Sequence, residues 1–199
     1  MAIISRGFSG RRSATDEKLP PGQYVTTGFP VLSAGPTPHV PLDQWEFTID
    51  DGANVMLRWD WKSFQDLPAE KFTVDIHCVT RWSKFGTTWE GVSLDTLFAD
   101  VKTDASHALV RSYGGYTTNL PLNDLLNKQA WIAFKFEGED LAAEHGGPAR
   151  LLVPHLYLWK SAKWVHGITL MKKDEPGFWE RLGYHNYGDP WREQRYWSD

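Results

Sequence analysis

Cysteine is nearly absent from this chain: Cys78 stands alone among 199 residues. An intramolecular disulfide is therefore excluded, and the thiol is either a small core filler or a reactive group. A lone free thiol also fits a reducing compartment. Long apolar runs are missing too, and nothing approaches the roughly 18 residues that cross a bilayer. Arg11 and Arg12 stand side by side, but Ser13-Ala14-Thr15-Asp16-Glu17-Lys18 follows, with no apolar stretch and no small-residue cleavage site. No export signal and no membrane span are expected, and a cytoplasmic setting follows. No GxGxxG opens a helix and no GxxxxGK[ST] occurs, so nucleotide binding by those loops is unsupported. A structural zinc site needs several close ligands, and one Cys beside His77 falls short.

Acidic residues are missing from one long segment. From His145 to Lys173 there is no Asp or Glu, while Arg150, Lys160, Lys163, Lys172, Lys173, His145, His155 and His166 all fall there. The whole chain is formally −4, so these cations are gathered rather than spread. Such an excess is either a solvated face or a site for an anion, most simply a phosphate. The apolar strands threaded through it, Leu151-Leu152-Val153 and Trp164 to Met171, favour the second. A nucleic-acid groove is not expected, because a pI near 6.0 lacks the broad basic footprint.

What is present points to a folded, β-rich domain. Hydrophobic residues make up 41% and there are eleven tryptophans, which excludes a disordered chain. The length suits one domain, expected over 23–199 behind a polar arm at 1–22. Pro30, Pro36, Pro38 and Pro41 hold the stretch after Phe29 extended or turning. Alternation predicts strands at Trp45–Ile49, Val55–Trp59, Phe72–Val79, Ala108–Ser112, Trp131–Phe136, Arg150–Val153 and Trp164–Met171. Short helices are predicted at Ser93–Phe98, capped by Ser93, and at Leu122–Leu126. The fold class is α+β with a mixed sheet.

Cys78 comes at the end of one predicted strand, where functional groups commonly sit. His77 and Arg81 are near enough in sequence to favour a thiolate, the form that binds metals. A Cys-His hydrolase needs only a base somewhere in space, so seven histidines make that signal weak. The aromatic, glycine-rich tail from Gly177 to Trp191 reads as a flap over the core, with Tyr184, His185 or Tyr187 at the mouth of a pocket.

Four regions carry a family resemblance: HCVTRWS (His77 to Ser83) together with the following TWEGVSLDTL (Thr88 to Leu97), SYGGYTTNLPL (Ser112 to Leu122), EHGGPARLLVP (Glu144 to Pro154) and LWKSAKWVHGITL (Leu158 to Leu170). In this order and spacing the chain resembles the molybdopterin-binding domain of the sulfite oxidase superfamily, most of all its small stand-alone bacterial members. The resemblance implies a sulfite oxidase-like fold, a molybdenum-molybdopterin cofactor and an oxidoreductase. It implies Cys78 as the protein ligand to molybdenum, a soft thiolate beside the pterin's dithiolene sulfurs. His145, Arg150, Lys160, Ser161, Ala162 and Lys163 match the segment that grips the pterin phosphate, Ser112 a hydroxyl that contacts the cofactor, and Leu32-Ser33-Ala34 a loop that touches the pterin.

The departures bear on substrate. Where sulfite oxidases have an Arg-Asn-His string, this chain has Ser33-Ala34-Gly35, and Arg81-Trp82 replaces an arginine pair after the cysteine. Sulfite needs several converging cations, so a sulfoxide or N-oxide is the expected substrate. Arg81 is expected to steer it, and Tyr113, Tyr116 or His185 to donate to the transferred oxygen. No counterpart of the haem domain is recognised, so no haem is expected, and electrons would pass through an unidentified redox partner. The alternatives are a molybdopterin carrier without turnover and a sulfite-oxidising enzyme.

Overall fold

The computed structural model describes residues 19–199; most of the arm expected at 1–22 lies outside the described residues. The strands are β1 (Tyr24–Val25), β2 (Glu46–Asp50), β3 (Val55–Asp60), β4 (Ala69–His77), β5 (Trp82–Ser93), β6 (His107–Ser112), β7 (Thr117–Pro121), β8 (Trp131–Phe136), β9 (Glu139–Asp140), β10 (Arg150–Leu152) and β11 (Val165–Met171). Among the described residues, three short α-helices join them: α1 (Trp61–Gln65), α2 (Leu94–Leu97) and α3 (Phe178–Arg181). Every strand expected from alternation is present, with ends shifted by a few residues. The expected helix at Leu122 is a single 3-10 turn, Leu122–Asp124.

Two sheets form. One is six-stranded, with β1-β5-β8-β10 in order, β4 on β5 and β9 on β8. The other is five-stranded in the order β3-β2-β11-β6-β7, with β11 parallel to β2 and antiparallel to β6. Alternating strands each give one apolar face, and those faces meet in a core that joins Phe47, Ile49, Val110 and Ile168 from one sheet to Val92, Ile132 and Leu151 from the other. A smaller cluster of Ile76, Cys78, Trp82, Trp89 and Leu152 lies on the six-stranded sheet.

Strand β5 is the main element that alternation misses. Its sequence is interrupted by Gly86 and Gly91, residues that usually weaken a strand. Gly91 is there for close approach: a Cβ would stand 2.5 Å from the Ile132 carbonyl oxygen of β8. Gly86 takes φ +62 beside an irregularity in the β4–β5 pairing, and its N–H donates to Asp75 Oδ1 at 2.8 Å. After β5 the chain enters α2 as expected, with the Ser93 hydroxyl accepting from Thr96 N at 3.2 Å.

Candidate active site

β4 and β5 place the cysteine. Arg81 N donates to Cys78 O at 3.0 Å and Cys78 N to Trp82 O at 2.9 Å, so Val79, Thr80 and Arg81 form a three-residue hairpin loop. Arg81 sits at φ 74, the left-handed position that such loops usually give to glycine. Cys78 is 7% exposed. Thr80 Oγ1 donates to its sulfur at 3.1 Å, and Gln23 Nε2 donates to its carbonyl at 3.0 Å. Burial pushes the thiol pKa up, while hydrogen bonds from Thr80 and Val79 and the charge of Lys163 pull it back.

Neither expected neighbour of the thiol serves it. Side chains alternate along a strand, and His77 turns to the other side, with Nδ1 2.8 Å from Ser83 Oγ and its ring edge-on to Trp191. Burial lowers the His77 pKa, so it is neutral at pH 7. Arg81 is exposed and stands off the cavity wall. The same left-handed turn that builds the hairpin carries the Arg81 side chain away, so the expected steering role has no geometric basis here. The cations coupled to Cys78 are Lys163 and Arg150, from the far segment.

Cys78, Val79, Thr80 and Trp82 form one wall of a cavity of about 500 Å³. The loop Phe29 to Pro38 contributes Leu32, Ser33 and Ala34; Tyr113-Gly114-Gly115-Tyr116 forms another side; Arg150 and Ser161-Ala162-Lys163 line one region, and Trp159, Phe178, Trp179 and Tyr184 another. Gly114 and Gly115 take φ +86 and +84, and nothing lies within 4 Å of where their Cβ atoms would be. Their backbone is thus bare on the cavity side.

The cations meet through glycine. At Gly146 (φ +112) a Cβ would stand 3.0 Å from Arg150 Cβ and 3.1 Å from Lys163 Cα, so only glycine lets the two come together. Arg150 is 2% exposed, donates to His145 O and Ser161 O at 2.9 Å each and to Leu151 O at 3.4 Å, and lies 5.8 Å over Trp89. A guanidinium has five N–H groups, so two remain for a ligand. Burial pulls its pKa down to about 10, which leaves it charged. Lys163 Nζ donates to Leu32 O at 2.8 Å and Glu144 O at 2.6 Å, leaving one N–H. Burial and then the charge of Arg150 lower its pKa to about 8.

Other expected site residues are committed elsewhere. Lys160 is 1% exposed and pairs with Glu180 Oε1 at 2.7 Å. Its ammonium also donates to Asn119 O, Asn119 Oδ1 and Asn186 O at 2.7, 3.1 and 2.7 Å. That exhausts its three donors, so Lys160 is a core ion pair and not a phosphate ligand. His185 Nδ1 accepts from Tyr187 N and Gly188 N at 2.9 and 3.2 Å, so it holds the tail's own turn while Tyr184 lines the cavity. Tyr113 and Tyr116 line the cavity, yet their hydroxyls point into the protein. Tyr113 OH accepts from Glu46 N and donates to Gln44 O, and Tyr116 OH donates to Trp159 O. Burial raises both pKa values, Tyr116's well above its ordinary range. Neither hydroxyl is set to donate to a substrate oxygen.

Ser112 and His145 lie next to the lining residues. Ser112 Oγ and His145 Nδ1 are buried without a hydrogen-bond partner, as is Nε1 of the wall residue Trp82. Phe29 stacks on His145 at 4.0 Å and fixes its ring plane. Buried polar atoms are rarely left unpaired. A polar, anionic, sulfur-bearing group is what this set fits: a thiolate for a soft metal, two cations with spare N–H groups for a phosphate, orphaned donors for heteroatoms, and a bare glycine backbone. A cavity of this size suits such a ligand. Thr80, Trp159 and Trp179 were not legible as site residues. Thr80 and Trp159 stand inside the strings HCVTRWS and LWKSAKWVHGITL, and Trp179 in the aromatic-rich tail, but nothing local to those residues marked them.

Comparisons agree with this chemistry. Residues 34–179 match the oxidoreductase molybdopterin binding domain. The chain is 41% identical over 192 residues, 95% of its length and 97% of the relative's, to a protein named uncharacterized oxidoreductase YuiH from Bacillus subtilis strain 168. It is 28% identical over 164 residues, 72% of its length, to the protein-methionine-sulfoxide reductase catalytic subunit MsrP of Gluconobacter oxydans, of which it spans 52%. The fold matches the sulfane dehydrogenase SoxCD of Paracoccus pantotrophus with a TM-score of 0.63 at 19% identity, covering 74% of this chain and 42% of that one. The chain belongs to the family of oxidoreductases built on the molybdopterin binding domain.

Proposed function

We propose that this molybdopterin-binding oxidoreductase reduces the S–O or N–O bond of a small, uncharged oxo compound, with Cys78 as the metal's protein ligand. When bound, the cofactor supplies the two-electron redox and oxygen-atom chemistry. The protein's share is to bind, orient and exclude. Arg150 and Lys163 grip the phosphate through charge-assisted hydrogen bonds. Trp82, Trp159 and Tyr184 wall the cavity with apolar surface. The net reaction takes two electrons and two protons and releases the deoxygenated compound and water, and the electrons come from a redox partner. The lone thiol supports a cytoplasmic setting, and the core shared by both sheets supports one domain over 23–199.

One observation carries the substrate choice. The charged residues on the cavity wall are Arg150 and Lys163, both taken by the phosphate. Ser33-Ala34-Gly35 borders the cavity without charge, Arg81 stands off it, and Arg195 is buried in contact with Glu193 and Pro21 O. A sulfite dianion would enter with no cation of its own, and an unpaired buried charge is strongly disfavoured. The methionine-sulfoxide reductase subunits among the relatives point the same way.

The test is molybdenum analysis of the purified chain with parallel dye-linked assays on sulfoxides, N-oxides and sulfite. Expected are stoichiometric metal, turnover of at least one neutral oxo compound and poor sulfite oxidation. Efficient sulfite oxidation overturns the substrate, and wild-type turnover by Cys78→Ser with full metal overturns the ligand.

A further inference from the structure

Among the described residues, the sulfur of Cys78 has one side-chain hydrogen-bond donor, Thr80 Oγ1 at 3.1 Å. We propose that Thr80 is a positioning residue whose hydroxyl withdraws charge from the Cys78 sulfur and so makes the bound metal easier to reduce. This rests on Cys78 being the metal's ligand. The hairpin loop sets the geometry. Arg81 N closes onto Cys78 O, and Arg81 takes the left-handed position at φ 74, which leaves Thr80 on the turn with its hydroxyl facing back two residues. Thr80 is exposed, so water could satisfy its hydroxyl equally well. It meets the sulfur instead. A hydroxyl has a single hydrogen. While it donates to sulfur, Thr80 offers an incoming substrate only lone pairs, although it lines the cavity.

A hydrogen bond to an anionic sulfur is charge-assisted and stronger than one to a neutral thiol. Drawing electron density from a metal-bound sulfur stabilises the reduced metal, which is how hydrogen bonds to sulfur set potentials in other metal–sulfur centres. The turn supplies its own comparison residue. Gln23 Nε2 donates to the Cys78 carbonyl at 3.0 Å and does not touch the sulfur. Thr80 acts on the ligand atom and Gln23 on the ligand's backbone.

The experiment is a potentiometric titration of the molybdenum-loaded full chain, followed by its paramagnetic resonance signal, in wild type, Thr80→Val, Thr80→Ser and Gln23→Leu. Valine keeps the shape and removes the donor. Expected is a shift of the metal's reduction equilibrium by about tenfold against reduction in Thr80→Val, about 59 mV for a one-electron couple. Thr80→Ser should restore the wild-type potential, with metal content equal throughout. An unchanged potential in Thr80→Val overturns the proposal, as does failure of serine to restore it, or an equal shift in Gln23→Leu. Failure of the underlying reading looks different: the metal's resonance signal would then be the same in wild type and Cys78→Ser.

Discussion

Lys160 and Lys163 are three residues apart in one acid-free segment and were expected to do the same work. The structure parts them completely. Lys160 is buried in a knot with Glu180, whose Oε1 also accepts from Trp159 Nε1 at 2.9 Å and Thr118 Oγ1 at 3.0 Å. Burial lowers the Lys160 pKa against the pull of Glu180. Lys163 is half-buried at the cavity wall, held by two carbonyls with one N–H free. The acid that neutralises Lys160 comes from α3, well outside the segment. A count of charges along a sequence therefore overstates the charge offered to a ligand. One lysine ties the tail to the sheet, and the other faces the cavity.

The largest break in this contrast should come from Lys160→Met. It leaves the Glu180 carboxylate buried and uncompensated, which typically costs about 3–5 kcal/mol. For a chain of this size that lowers the melting temperature by roughly 10 °C. Thermal melts of the cofactor-free protein check it, and a Lys160→Met/Glu180→Leu double variant should recover part of the loss. A Lys160→Met variant that melts like wild type would mean the ion pair does not form.

Lys163→Ala should do the reverse. The melting temperature should move little, while cofactor affinity falls by about 2 kcal/mol or more, roughly thirtyfold. Molybdenum and pterin content after expression, read beside the melt, separates the two lysines.

A pH series sharpens the same point. Lys163, with its pKa near 8, is charged below that value and neutral above it. Uptake of cofactor by cofactor-free protein should weaken as pH rises from 7 to 9, and this dependence should flatten in Lys163→Ala. Arg150, near 10, stays charged throughout. An identical slope in both proteins would assign the titration elsewhere.

The smallest effect belongs to Lys172→Ala. Its partner Asp104 is equally exposed at 2.7 Å, and screened surface pairs contribute little. Cofactor content and melting should match wild type. A loss comparable to that of Lys163→Ala would turn the whole segment into one undivided basic face.

Much of the fold was legible because a strand with one buried face must alternate. β6 and β11 do so, and β2 alternates in sequence though both its faces are buried. β8 shows instead as a short apolar run with its first four residues buried, and Ser93 announces α2. β5 was hidden because its glycines serve contacts made by β8 and β4, which no local pattern contains. In the site, Cys78, Arg150, Lys163 and the Leu32–Ala34 loop were legible from motif and order, and all reach one cavity. Arg81, Lys160 and His185 were misplaced for a common reason: nearness in sequence says nothing of which way a side chain leaves a tight turn, or of which distant partner claims it.

The sequence by itself determined the family, the single thiol, the acid-free segment and the lack of the sulfite-type arginines, since each depends only on which residues are present and in what order. Only the tertiary structure decided which cations remain free, which hydroxyls are already spent, and that Thr80 donates to the sulfur. Those outcomes are competitions for hydrogen-bond partners between segments far apart in the chain. Such competitions are settled only when the sheets pack, because a buried donor must take whatever acceptor the fold brings within reach.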